Sequence, residues 1–271
     1  MRGGASAEVI NYSALAEDLA SHGYFVVGFD APGLTHLVVF PDGRTVARAP
    51  ENDLEAVSGP ELNRRAQSLL DAWTADIGHV LERLERWNIE NEKFAGRLNM
   101  MRVGVFGHSF GGATSAKFCA QDPRCTAGVD IDGALFGSVL REGIHKPFLF
   151  LLSGKGDFSS PEEVRRFEAD IQSVYDRLPP DGRLRLSIRG TNHFMFSDDG
   201  ALLKSQLVRG VLRTFGMLGL DGRRQLAVTA YCVSSFFDAY LKGAGSSLPP
   251  NIPSPLYPEV QAIAAPAAIQ R

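Results

Sequence analysis

Apolar residues fall along this chain in two rhythms, short runs and three-and-four spacings, and the two alternate. Residues 24–29, 103–106 and 147–152 are apolar runs, and 127–131 is one interrupted by Asp130. Such runs predict strands buried on both faces of a parallel sheet. Residues 184–188 alternate instead and predict the last strand. Helical spacing fills the intervals. Residues 12–21 put Leu15, Ala16 and Leu19 on one face, with Gly23 as the stop. Pro60 opens the longest helix, where Leu62, Ala66, Leu69, Trp73, Ile77, Val80, Leu84 and Trp87 keep one face apolar. On it, His79 is expected at the surface and both Trp residues in the core. Further helices are expected to about residue 120, from Pro161 (Val164, Phe167, Ile171, Val174, Tyr175), and around 199–216 and 222–241. Residues 37–46, centred on Pro41-Asp42-Gly43, read as a hairpin, and 47–59 as irregular.

Strands alternating with helices predict an α/β fold with a mostly parallel sheet and helices on both faces. A length of 271 residues suits one such domain, assigned to 1–245, with a Pro/Ala-rich tail over 246–271 expected to wrap the surface or lack order.

Composition narrows the partners. Apolar residues make up 44% and charged residues 22%, the balance of a chain with a sizeable core. The net charge is −3 without a Lys/Arg block, so no nucleic-acid groove is expected. No apolar stretch approaches the ~18 residues of a membrane span. Without a charged-then-apolar leader, the sequence as written is expected in the cytoplasm, and in a secreted form if it continues upstream. Cys119, Cys125 and Cys232 are read as buried free thiols, since an odd number among apolar neighbours does not suggest a disulfide framework. Neither Cys-x-x-Cys nor zinc-spaced His residues occur, so no metal or cofactor is expected. Oligomeric state is left open.

The candidate chemistry lies in Gly107-His108-Ser109-Phe110-Gly111-Gly112, directly after the run 103–106 and before a helix. A Gly-x-Ser-x-Gly at a strand-to-helix turn is the nucleophile elbow of an α/β-hydrolase, in which the serine tops the sheet and its neighbours must be small. A serine hydroxyl needs a base, and the base an orienting acid, in the chain order Ser, Asp/Glu, His. Of the histidines beyond the elbow, His145 precedes a strand and sits at its wrong end, whereas His193 follows the last strand and is the candidate base. Asp132 and Asp157 both follow strands, and position alone leaves them equal; Asp130 lies inside its strand. Phe110, Phe136, Phe194 and Phe196 are candidates for an apolar acyl pocket or for core.

Residues 104–114 resemble the elbow of the plasma-type platelet-activating-factor acetylhydrolases and their bacterial esterase relatives. Leu19-Ala20-Ser21-His22-Gly23-Tyr24, Asp130-Ile131-Asp132-Gly133, His193-Phe194-Met195-Phe196-Ser197-Asp198 and residues 235–243 extend the resemblance over most of the chain. It implies a serine esterase acting through an acyl-enzyme on short-acyl esters, phospholipids or polyesters, needing no cofactor. It also implies Asp132 as the acid, with Asp157 second. The family pattern has a strand and a His-Gly loop ahead of residues 12–21, and Met1–Ala5 matches only the end of that loop, so the sheet is expected to lack its first strands. The oxyanion hole is then expected from the backbone N–H groups of Phe110 and Ala5. The competing expectations are a dienelactone-hydrolase-like enzyme or acyltransferase on the same fold, and a catalytically silent scaffold that binds a partner.

Overall fold

The computed structural model describes residues 1–155, 160–202, 205–214, 219–243 and 254–263. Its elements follow in chain order: α1 (Ser13–Ser21), β1 (Leu37–Val39), β2 (Thr45–Ala47), α2 (Gly59–Glu90), β3 (Val103–His108), α3 (Phe110–Gln121), β4 (Cys125–Ile131) and α4 (Val139–Glu142). Then come β5 (Phe148–Lys155), α5 (Pro161–Tyr175), β6 (Arg183–Asn192), α6 (Asp199–Leu202), α7 (Gln206–Thr214), α8 (Gly222–Leu241) and β7 (Val260–Ala262). The main sheet runs β3-β4-β5-β6-β7, parallel through β6 and antiparallel at β7, while β1 and β2 form a separate antiparallel pair.

The period-two alternation of a strand divides the core. On β5, Leu149 and Leu151 face a cluster built with Leu15 and Leu19 of α1 and Val233 and Phe236 of α8. Phe148, Phe150 and Leu152 face the other way, into a cluster with Ile77 and Leu81 of α2, Phe118 of α3 and Ile171 of α5. Helices therefore cover both faces, as the sequence predicts. The caps are legible too: Pro60 stands in the first turn of α2, and Ser160 with Glu163 forms a capping box on α5.

Several expectations change. The run 24–29 forms no strand. A strand needs a ladder partner, and the outer edge of β3 is instead bridged at Gly107 by Arg2. The run lies outside any helix or strand, with Phe25 exposed, beside a cavity of about 380 Å³ lined by Val27, Ile77, Leu81, Val103 and Phe237 among others. Next, the helix expected over 199–216 is two, α6 and α7. The described part of the Pro/Ala-rich tail is not loose, since β7 closes the sheet edge against β6 with Val260 fully buried. Finally, Cys119 and Cys125 are joined in a disulfide. The short turn between α3 and β4 sets their side chains face to face in the core, which a spacing of six residues does not announce. Cys232 is a buried free thiol as expected, and burial pushes its ionisation up to about 12.

On α2 the buried stripe is Ala66, Leu70, Trp73, Ile77, Leu81 and Leu84, so that Leu70 and Leu81 stand where Leu69 and Val80 were expected. Trp73 is core, but Trp87 is partly exposed and stacks on Phe94. His79 is exposed.

Candidate active site

Ser109 links β3 to α3 at φ 55°, ψ −122°, a left-handed conformation that L-residues rarely adopt. Its N–H donates to the Ile131 carbonyl (2.8 Å), and its own carbonyl accepts from Gly112 (2.9 Å) and Ala113 (3.2 Å), so strand and helix both grip the turn. The flanking glycines are required sterically. A Cβ on Gly107 would lie 2.5 Å from the Gly111 carbonyl group, and one on Gly111 would lie 2.5 Å from the carbonyl oxygens of Arg2 and Gly3.

The loop after β4 carries Asp132, also at positive φ (56°). Its Oδ1 accepts from the Ser153 N–H (2.7 Å), and its Oδ2 lies 3.0 Å from Nδ1 of His193. His193 opens a short 3-10 turn directly after β6. Its ring lies 4.5 Å, centroid to centroid, from that of His108, the residue before Ser109. A carboxylate only accepts, so Nδ1 carries the hydrogen and Nε2 is left as a base. Two strand ends thus bring Asp132 and His193 together beside the elbow. Asp157 lies outside the described residues. His145 is exposed ahead of β5.

The amino-terminal segment supplies the other wall. Arg2 donates its N–H to Phe106 (3.1 Å) and accepts from the N–H of His108 (3.2 Å), in the manner of a neighbouring strand. Its buried guanidinium lies over Trp73 and pairs with Asp76, and burial pushes its ionisation down to about 10. Gly4 then passes Ser109: a Cβ on Gly4 would touch the Ser109 Cβ at 3.5 Å. Ala5 packs on the cluster that holds Phe110 and Ala113. Phe110 and Phe136 are neighbours in that cluster, Phe196 is buried against His108, and Phe194 is largely exposed.

Three groups here carry no role assigned from the sequence, in which Asp130 is set aside as lying inside its strand. Asp130 is fully buried beneath the elbow, with Oδ1 accepting from the Gly133 N–H (2.8 Å) and Oδ2 unpartnered. Burial, and then the charge of Asp132, hold its carboxyl well above the usual carboxylate range. Tyr12 places its hydroxyl 2.8 Å from Nδ1 of His108. His108 is pushed down to about 3, chiefly by burial and then by His193, and so is neutral. The Asp-x-Asp-Gly spacing flags Asp130 as a second acid; nothing in sequence joins Tyr12 to His108 across 96 positions. Among the described residues no cluster of His, Cys, Asp or Glu could hold a metal ion, and no helix is long and apolar enough to cross a membrane.

A parallel sheet with helices on both faces and a Gly-x-Ser-x-Gly elbow at a strand end define the α/β-hydrolase fold. A ferulic acid esterase from Streptomyces cinnamoneus has the same architecture, with a TM-score of 0.75 and 27% identity over 97% of this chain and 72% of that one. The family model "Platelet-activating factor acetylhydrolase, isoform II" matches residues 54–242, and the chain belongs to that family. A protein of Arthroderma benhamiae named "Probable 1-alkyl-2-acetylglycerophosphocholine esterase" is 28% identical over 261 residues, covering 92% of this chain and 61% of its own length. The platelet-activating factor acetylhydrolase of Cavia porcellus is 26% identical, covering 69% of this chain and 45% of its own. The chain thus spans about half the length of these relatives.

Proposed function

We propose that this protein hydrolyses short-acyl carboxylic esters, acetylated phospholipids among them, through an acyl-enzyme on Ser109. The observation that carries the reading is the 3.0 Å bond between Asp132 and His193, made beside an elbow whose serine is held at positive φ. Nε2 of His193 takes the Ser109 proton as Oγ bonds to the ester carbonyl carbon. The resulting oxyanion is received by the N–H of Phe110 and that of Ala5. The carbon–oxygen bond to the alcohol then breaks, and the alcohol leaves with the proton from Nε2. Water repeats the sequence and frees the acid. Asp132 holds the tautomer and stabilises the imidazolium. The names of the relatives support an acetyl ester of a glycerophospholipid as substrate; the ferulic acid esterase supports a simple ester. The chemistry is the same and only the leaving group differs.

The test is hydrolysis of p-nitrophenyl acetate and of 1-alkyl-2-acetylglycerophosphocholine by the wild type and by Ser109→Ala. Both substrates should turn over in the wild type and neither in the variant, with unchanged circular dichroism. Wild-type rates in Ser109→Ala would contradict the assignment, and a folded wild type inert toward both would favour a silent binding scaffold.

A further inference from the structure

The least conventional feature of this site is a tyrosine on its far wall. Tyr12, just ahead of α1 and buried, puts its hydroxyl between two partners: it accepts from the Gly4 N–H (3.3 Å) and meets Nδ1 of His108 (2.8 Å). His108 is neutral and buried, so one of its ring nitrogens is bare and the other carries the hydrogen. The hydroxyl already accepts from Gly4, and its one hydrogen has Nδ1 within reach; in that sense of the bond Nδ1 is bare and His108 carries its hydrogen on Nε2. The hydroxyl therefore ties the amino-terminal loop to the residue preceding Ser109.

Gly4 is where such a tie counts. Glycine samples both signs of φ freely, so a Gly-Gly-Ala segment does not by itself fix the direction of any N–H. Here both sides of Gly4 are pinned. Its N–H is held by Tyr12, and its carbonyl accepts from the Ala7 N–H (3.3 Å). The peptide unit is planar and trans, so the Ala5 N–H points opposite to the Gly4 carbonyl. With the carbonyl turned to Ala7, the Ala5 N–H faces away from it. We propose that Tyr12 is a positioning residue: its hydroxyl, bridging Gly4 and His108, fixes the peptide that presents the Ala5 N–H to the oxyanion. This rests on the ester-hydrolase reading above. The bridge needs a neutral His108 for a second reason. Its ring lies 4.5 Å from His193, which becomes a cation during turnover, and a like charge there would oppose it.

The experiment is steady-state hydrolysis of p-nitrophenyl acetate by Tyr12→Phe, alongside the wild type and Ser109→Ala. Removing an oxyanion donor outright costs about 10²–10³ in turnover, so loosening one should lower kcat by roughly 10–100-fold. KM should stay within about twofold, since a donor to the developing oxyanion acts in the transition state. The pH midpoint of kcat/KM should not move, because His193 and Asp132 keep their bond. A kcat within twofold of wild type overturns the proposal, and so does a loss accompanied by a shifted midpoint, which would place the effect on His193. A wild type without activity, or one matched by Ser109→Ala, refutes the hydrolase reading instead. Should Tyr12→Phe be recovered only unfolded, ¹⁵N imidazole shifts of the wild type decide. His108 should show a bare Nδ1 and a protonated Nε2 from pH 5 to 8; the opposite tautomer, or titration in that range, overturns the proposal.

Discussion

Ser109 is held in a backbone conformation that costs on the order of 1–3 kcal/mol, and it persists because β3, β4 and α3 all over-determine it. Asp132 shares the left-handed backbone, at φ 56°, and its two oxygens have separate tasks, one on Ser153 and one on His193. Asp132→Asn keeps the shape but lets the amide dictate the wrong imidazole tautomer. Turnover should fall on the order of 10⁴-fold, the loss seen when a triad carboxylate becomes an amide. Asp157→Asn should stay near wild type; steady-state rates of the two variants give the ranking, and its reversal would move the acid to Asp157. Asp130 makes the opposite kind of prediction. Its folded-state carboxyl is raised while the unfolded one titrates near its ordinary value of about 3.9, so the folded state holds a proton the unfolded state loses. That stability is fully present below pH ~4 and is lost as pH rises toward the folded pKa. Asn does not titrate and still offers an oxygen to Gly133. Between pH 4 and 7, urea midpoints of Asp130→Asn should therefore drop less, or rise more, than those of wild type. Parallel pH slopes would mean that Asp130 is ionised in the fold.

At the scale of elements, α3 and β4 form the unit that carries the site, and they are fastened at both ends. At the top, the Ser109 N–H meets Ile131, and the Asp130 carboxyl fits so closely under α3 that a Cβ on Gly112 would fall 1.9 Å from it. At the bottom, the Cys119–Cys125 bridge closes the connecting turn. A loop this short contributes about 2 kcal/mol through the unfolded chain. The double variant Cys119→Ala/Cys125→Ala should lose about that much in urea unfolding while keeping its turnover, because the bridge lies at the strand end remote from Ser109. Unchanged stability would show that packing alone holds the turn. The elements legible in sequence are those whose burial shows as pattern: β3, β4, β5 and β6 lie where apolar runs or alternation put them. The run 24–29 misleads because hydrophobicity reports burial, not a ladder partner. β7 is missed because a three-residue strand in a Pro-rich tail offers too short an alternation to read.

At the scale of the whole molecule, the five-stranded sheet lies between two helical layers, with the candidate site at the carboxyl ends of β3, β4 and β6. Its outline was legible because the elbow imposes a local steric demand that glycines at 107, 111 and 112 reveal, and because chain order picks out His193. For the acid, position leaves Asp132 and Asp157 equal, and only the family resemblance favours Asp132. The remainder was not legible, since it depends on contacts across long separations. Tyr12 reaches His108 and Arg2 takes the place of a neighbouring strand only after folding, while the approach of the amino-terminal loop to Ser109 is expected from the family resemblance alone. Such contacts leave no periodicity. The central claim, that the fold activates Ser109 as a nucleophile, is tested most directly by treating the native protein with a fluorophosphonate and mapping the adduct by peptide mass spectrometry. One adduct is expected, on Ser109, formed by the native protein and lost on prior denaturation and in Ser109→Ala. A native, folded protein that stays unmodified, or that is modified at another serine while Ser109→Ala still hydrolyses esters, would contradict it.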